Sequence, residues 1–238
     1  MRRFRLARRA RTIALSRRRS SRRSARSGTA SAHSVSQIDI QAAREGAERS
    51  LIAPTGLSTG PDGTICVADS GNHCIRTISP ERVVGTLAGS IFDFADGRGA
   101  DGRFRQPLAL DVGADGNCYV TDTGNNAIRR VAPDGAVSTV AGSPPGGDAD
   151  GVGMDVGMRW PTGIVIGHSG ELWAADYGNR SVRWIERNGA AATVVRFDGR
   201  RWPVSPALAT GGELIVATEV IDQETRSLSC LASIEAAR

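Results

Sequence analysis

The sequence predicts an all-β protein, a β-propeller of about four four-stranded blades in an open or partial ring, and three observations lead to that class. One 25-residue pattern recurs at a nearly fixed spacing, each copy divides into short apolar runs at Gly-containing turns, and the copies cover most of the chain after residue 50. The copies are PTGLSTGPDGTICVADSGNHCIRTI from Pro54, PLALDVGADGNCYVTDTGNNAIRRV from Pro107 and PTGIVIGHSGELWAADYGNRSVRWI from Pro161. They align without gaps, 53 and 54 residues apart. A shorter copy, PVSPALATGGELIVATEV, starts at Pro203 and carries Thr218 where the others carry Asp69, Asp122 and Asp176.

Each element follows from the repeat. The turn pairs Asp62-Gly63, Asp115-Gly116 and Ser169-Gly170 separate two apolar runs and predict a hairpin. The D-x-G-N turn then returns the chain for a third strand. The runs VVGTLAG from Val83, AVSTVAG from Ala136 and AATVVRF from Ala191 supply a fourth. Four-stranded sheets at this period are propeller blades, and a single such sheet buries neither face alone, so neighbouring blades must stack. The propeller is expected over residues 46–238, with blades from about 54, 107, 161 and 203, and residues 46–52, GAERSLI, are expected to add an outer strand to the last blade.

The D-x-G-N-x-x-[IV]-R turn has readable chemistry. Gly71, Gly124 and Gly178 are expected to supply a positive φ. Asp69, Asp122 and Asp176 accept backbone N–H groups across the turn, and Asn72, Asn125 and Asn179 tolerate left-handed geometry. Arg76, Arg129 and Arg183, seven positions after each Asp, return on the next strand to pair with the carboxylates. Because the set recurs in every copy whereas an active site is needed once, it reads as structural.

Charge divides the chain. Residues 1–38 hold twelve Arg and no acid, whereas the remainder sets eighteen Arg against twenty-five acids, a net charge of −7. An acidic domain repels polyanions, which argues against nucleic-acid binding by the folded part. The tail, rich in Arg, Ser and Ala, is expected to be disordered. It has the composition of a mitochondrial or chloroplast transit peptide, while Arg17-Arg18-Arg19 and Arg22-Arg23 suit nuclear import or polyanion contact as well, and a cytoplasmic protein with neither address stays open. No apolar stretch has the length of a membrane span.

Catalytic and metal chemistry find little support. Cys66, Cys74, Cys118 and Cys230 lack zinc spacing and are expected to be buried free thiols with no disulfide, although Cys66 and Cys74 lie on either side of a hairpin turn and could approach each other. His73 and His168 are too few for a three-histidine zinc site, and Asp111 is the one acid inside a predicted innermost strand. No G-x-S-x-G is present, and Gly97, Gly99 and Gly102 of D-G-R-G-A-D-G lack P-loop spacing. The acids of that segment are the chain's one option for calcium, and otherwise no cofactor is expected.

D-S-G-N-H, D-T-G-N-N and D-Y-G-N-R, each followed by Ile or Val and then Arg, resemble the NHL repeat. The spacers AGSIFDFADGRGADGRFRQP and AGSPPGGDADGVGMDVGMRWP are similar to the long Gly- and Asp-rich spacer of one NHL subgroup. The resemblance implies a propeller, commonly of six blades, that offers one face to protein, RNA or small-molecule partners. The expected function is a non-enzymatic scaffold for protein–protein interaction. The alternatives are a lactonase-like or amidating-lyase-like enzyme with a metal in the central tunnel, and RNA binding by one face. Phe92 and Phe94 in the first spacer are the candidate partner contacts, whereas Phe104, Met158 and Trp160 are expected to wedge between sheets. Four blades leave end faces to cover, so self-association or binding to a second propeller fragment is expected.

Overall fold

A computed structural model describes residues 50–221 and the strand 226–235. The basic tail, residues 46–49 and the side chain of Cys230 lie outside the described residues. The chain forms four antiparallel sheets in sequence order. Blade 1 is β1 (Pro54–Thr59), β2 (Ile65–Asp69), β3 (Cys74–Ile78) and β4 (Val84–Ala88), paired consecutively. Blade 2 has β6 (Pro107–Val112), β7 (Cys118–Asp122), β8 (Ala127–Val131) and β9 (Ala136–Gly142), with the short β5 (Gly97–Arg98) added outside β9. Blade 3 repeats this with β11 (Pro161–Ile166), β12 (Leu172–Asp176), β13 (Ser181–Ile185) and β14 (Ala190–Arg196), and with β10 (Gly151–Val152) outside β14. Among the described residues blade 4 has three strands, β15 (Arg201–Leu208), β16 (Glu213–Ile221) and β17 (Arg226–Glu235).

The two edge strands come from the spacers, in which no strand is expected. Each spacer lends its middle to the outer edge of the blade that follows it. Residues 50–52 likewise do not extend the last blade. They run to the turn of blade 1, where the Ile52 carbonyl accepts the Gly71 N–H at 2.9 Å.

Register is the same in all blades. Pro54 lies opposite Asp69, Pro107 opposite Asp122, Pro161 opposite Asp176 and Pro203 opposite Thr218, each followed by a bulge. Pro is tolerated there because the bulge relieves it of a ladder donor. In the first hairpin the Gly63 N–H donates to the Gly60 carbonyl at 3.0 Å and Gly63 takes φ +83°, a left-handed closure that Gly116 and Gly170 repeat. The β3–β4 turn closes in the same way with Arg82 at φ +66°, where the equivalent turns of blades 2 and 3 use Gly135 and Gly189.

Blades stack face to face with the innermost strands β1, β6, β11 and β15 side by side. Middle strands are therefore buried on both faces, and Leu172 through Asp176 are buried without a break. Separate apolar cores fill the three interfaces between blades. Phe104 and Met158, each three residues before the inner strand, plug the first two, fully buried. Among the described residues no helix is long and apolar enough to cross a membrane.

Candidate functional site

The repeated turn is a clamp built from three side chains, an Asp, an Asn and an Arg, and the segment that enters each blade. Asp69, Asp122 and Asp176 end the second strand of their blades with no exposed surface. Their Oδ1 atoms accept the N–H groups of Ile52, Arg105 and Arg159 at 2.8, 2.7 and 2.7 Å. The expectation that these carboxylates hold amides across their own turn is thus corrected: the amide lies 17 residues upstream, on the entering chain.

Each Oδ2 accepts the side-chain amide of the Asn three residues later, at 2.8 Å for Asn72, 2.9 Å for Asn125 and 2.8 Å for Asn179. The second amide hydrogen of each Asn reaches the entering segment, at Ser50 O, Asp93 O and Gly147 O. The same Oδ2 takes the arginine, at 3.0 Å for Arg76, 2.9 Å for Arg129 and 3.4 Å for Arg183. Burial pushes the Asp122 carboxyl up to about 6, against donation from Asn125, Arg105 and Arg129, and raises Asp176 for the same reason.

In blades 2 and 3 the arginine also fastens the spacer. Arg129 donates to Arg103 O, Ala95 O and the Asp96 carboxylate, the last at 2.7 Å. Arg183 donates to Gly157 O, Ala149 O and the Asp150 carboxylate, the last at 3.1 Å. Asp96 and Asp150 also accept the hydroxyls of Thr139 and Thr193. Sequence reasoning missed both acids as clamp members. The signal was present: D-G-x-G-x-D aligns from Asp96 and from Asp150, each 33 residues before its arginine. Asp96, offered to calcium on sequence grounds, is thereby engaged by Arg129 and Thr139.

The glycines serve a different purpose from the one expected. None of Gly71, Gly124 and Gly178 has a positive φ; the left-handed residue is the one after the Asn, namely His73, Asn126 and Arg180. A Cβ on Gly124 falls 2.6 Å from Arg105 O, and one on Gly71 falls 2.7 Å from Ile52 O. Glycine is required because the entering backbone touches the turn, with Gly124 N–H on Arg105 O at 2.8 Å.

Above these clamps the end of the propeller that carries the D-x-G-N turns displays aromatic and Arg side chains. Phe92 is 53% exposed, with the Arg105 guanidinium 4.5 Å over its ring and His73 edge-on at 5.2 Å. Trp160, expected to be a wedge, is instead 57% exposed. It takes φ +49° just before Pro161, held there by its N–H on Asn126 Oδ1 at 2.9 Å. Gln106 repeats this with φ +51° and its N–H on His73 Nδ1 at 3.2 Å. Left-handed geometry in a bulky residue costs about 1–2 kcal/mol, so the repeat stores strain to hold these residues outward. Phe94 is half-buried beneath Arg129 at 4.6 Å and belongs to the clamp rather than to the open surface.

The motif has a counterpart among known sequences. The model of the NHL repeat matches residues 51–78, and the clamp residues recur at the same register in blades 2 and 3. Residues 51–78 are thus an NHL repeat, and the same turn residues recur twice more along the chain. It is 32% identical over 151 residues to Protein SUPPRESSOR OF QUENCHING 1, chloroplastic, of Arabidopsis thaliana, a match covering 58% of this chain and 14% of that protein. It is 31% identical over 151 residues to NHL repeat-containing protein 2 of Bos taurus, covering 56% of this chain and 20% of that protein. The chain thus matches only a minor part of either relative's length. Among solved structures a streptogramin B lyase superposes with a TM-score of 0.56 at 14% identity, over 76% of this chain and 56% of the lyase. At that identity the likeness is one of fold.

In this NHL-repeat protein the acid on the innermost strands is occupied. Asp111 accepts the Ser58 hydroxyl of blade 1 at 3.0 Å on Oδ1 and the Ile166 N–H of blade 3 at 3.0 Å on Oδ2, tying three blades together. His168 is exposed in its turn. Among the described residues no group of three His, Cys, Asp or Glu stands close enough together to hold a metal ion.

Proposed function

We propose that the chain is a non-enzymatic NHL-repeat scaffold that binds a protein partner on the end of the propeller carrying the D-x-G-N turns. The observation that carries this is the pair Phe92 and Trp160, 53% and 57% exposed, beside Arg105 and Arg159 on a rigid sheet framework. Aromatic and Arg side chains on preorganised loops are the composition of binding hot spots, because they desolvate large area at little entropic cost. The net charge of −7 after residue 38 favours a protein over RNA as the occupant.

Photo-crosslinking from positions 92 and 160, with position 168 on the opposite end as control, tests this. The expected result is one shared protein captured from 92 and 160, with binding weakened at least about tenfold by Phe92→Ala or Trp160→Ala while the melting temperature holds. Equal capture from all three positions, or RNA in place of protein, overturns it.

Self-association is a second reading, favoured by Leu57 on β1, 72% exposed, and Val83 at 60%. Light scattering at micromolar concentration is expected to give a dimer that Leu57→Asp converts to monomer; a wild-type monomer rejects this reading.

A further inference from the structure

The first blade interface contains two thiols where the others contain apolar side chains. Cys66 of β2 faces blade 2, Cys118 of β7 faces back, and both lie in one core with Ala68, Ile75, Leu110 and Val120. The repeat places Tyr119 and Leu172 at the corresponding positions of the second interface, and Trp173 and Leu214 at those of the third. The approach of Cys66 to Cys74 that the hairpin left open does not occur. Cys66 lies opposite Thr77 and Cys74 opposite Asp69 in the β2–β3 ladder, an odd number of residues apart along it, so their side chains leave opposite faces of the sheet. Cys74 is held instead with Sγ 3.8 Å from Asp69 Oδ2.

Cys66 is also within reach of small molecules. It retains 6% of its surface and lines a groove of about 460 Å³ between blades 1 and 2, together with Thr64, Thr77, Leu87, Val112 and Asp115. Cys118 behind it is fully buried. Pairing with Cys118 lowers the Cys66 thiol, while the same pairing and burial raise Cys118. Cys66 is therefore the thiol that a molecule in the groove meets first.

We propose that Cys66 and Cys118 form a redox pair, joined as a disulfide between blades 1 and 2 by exchange with a small disulfide of the glutathione class entering the groove. The Cys66 thiolate attacks one sulfur of that disulfide, its S–S bond breaks, and the departing thiolate takes up a proton. The Cys118 thiol then loses its proton to water and attacks the Cys66 sulfur, expelling the second small thiol. Two protein thiols are oxidised and one small disulfide is reduced to two thiols. The bond closes residues 67–117 into a covalent loop, which includes the first clamp and Phe92.

The test equilibrates the full chain with mixtures of oxidised and reduced glutathione, then quenches with an alkylating agent and maps the peptides by mass. The expected product is a peptide pair linked through Cys66 and Cys118, reversed by dithiothreitol, with a melting temperature raised by roughly 5–10 °C. In Cys118→Ala, glutathione is expected to remain on Cys66, whereas Cys66→Ala leaves Cys118 unmodified. Both thiols staying alkylatable in the wild-type chain across the whole series, or linkage of Cys66 to Cys74 or Cys230, overturns the proposal whether or not the variants fold.

Discussion

Gly124→Ala separates the two explanations for the glycine of the D-x-G-N turn. The added Cβ lies 2.6 Å from Arg105 O and 2.5 Å from Arg105 Cγ. The side-chain carbon can rotate away, but the carbonyl belongs to a backbone already bound by Gly124 N–H and, through Arg105 N–H, by Asp122. Relief therefore means pushing the entering segment outward, at about 1–3 kcal/mol for the overpacking and about 1 kcal/mol for the hydrogen bond lost. The gain from a stiffer unfolded chain offsets roughly 0.4–1 kcal/mol of that. A net loss of about 1.5–3 kcal/mol is expected by urea unfolding. Gly153→Ala is the control, with φ +59° and no atom within 4 Å, and is expected to lose about 1 kcal/mol from backbone strain alone. Asn at position 124 tolerates positive φ and relieves no clash, so Gly124→Asn must be at least as damaging as Ala. Rescue by Asn, or a Gly124→Ala loss no larger than that of Gly153→Ala, refutes the close-approach argument.

Arg82→Gly is expected to stabilise blade 1 by roughly 0.5–1 kcal/mol in urea, since φ +66° is held by glycine in the equivalent turns at Gly135 and Gly189. Asp122→Ala removes the buried counter-charge of fully buried Arg129, leaving only the half-exposed Asp96, and is expected to cost about 3–5 kcal/mol, whereas Asp96→Ala removes a partner whose side chain is 53% exposed and is expected to cost under about 1 kcal/mol; comparable losses in thermal melts contradict the clamp hierarchy. The Asp122 carboxyl titrates near 6 in the fold and near ~3.9 when unfolded, so between those values only the folded chain keeps the proton, and this group's stabilisation falls as pH rises toward 6 and then levels off. The difference between wild type and Asp122→Asn, followed by urea unfolding from about pH 4 to 7, is expected to decline by up to about 3 kcal/mol; a difference that grows with pH shows that the ion pair outweighs burial.

The strands and their register were legible because repetition removes ambiguity: an apolar run such as ICVAD is weak evidence alone, but in phase with CYVTD and LWAAD it fixes a blade. The Asp–Asn–Arg set was legible as a unit for the same reason. The function of its glycine was not, because the atom it avoids, Arg105 O, sits nineteen positions upstream, and only folding brings the two together. Strands β5 and β10 escaped because two residues such as Gly97-Arg98 have no periodicity to read. Trp160 was misplaced because its type suits a core, while the left-handed backbone before Pro161 turns it outward.

Blade 4 shows why the Asp and the entering segment are retained or lost together. In blades 1 to 3 the amide that binds each carboxylate comes from Ile52, Arg105 or Arg159, each two residues before a Pro and outside any strand. Only four residues, 197–200, separate β14 from β15, so no spacer enters blade 4. The residue two before Pro203 is Arg201, already a strand residue opposite Val220. A carboxylate at position 218 would be buried without the entering amide, without the Asn of a D-x-G-N turn and without the returning Arg, at a desolvation cost of several kcal/mol. Thr218, fully buried opposite Pro203, puts a hydroxyl there instead. The loss of Asp from the fourth copy is therefore a consequence of the missing spacer, and the carboxylate of each earlier blade is there to hold the chain that enters it.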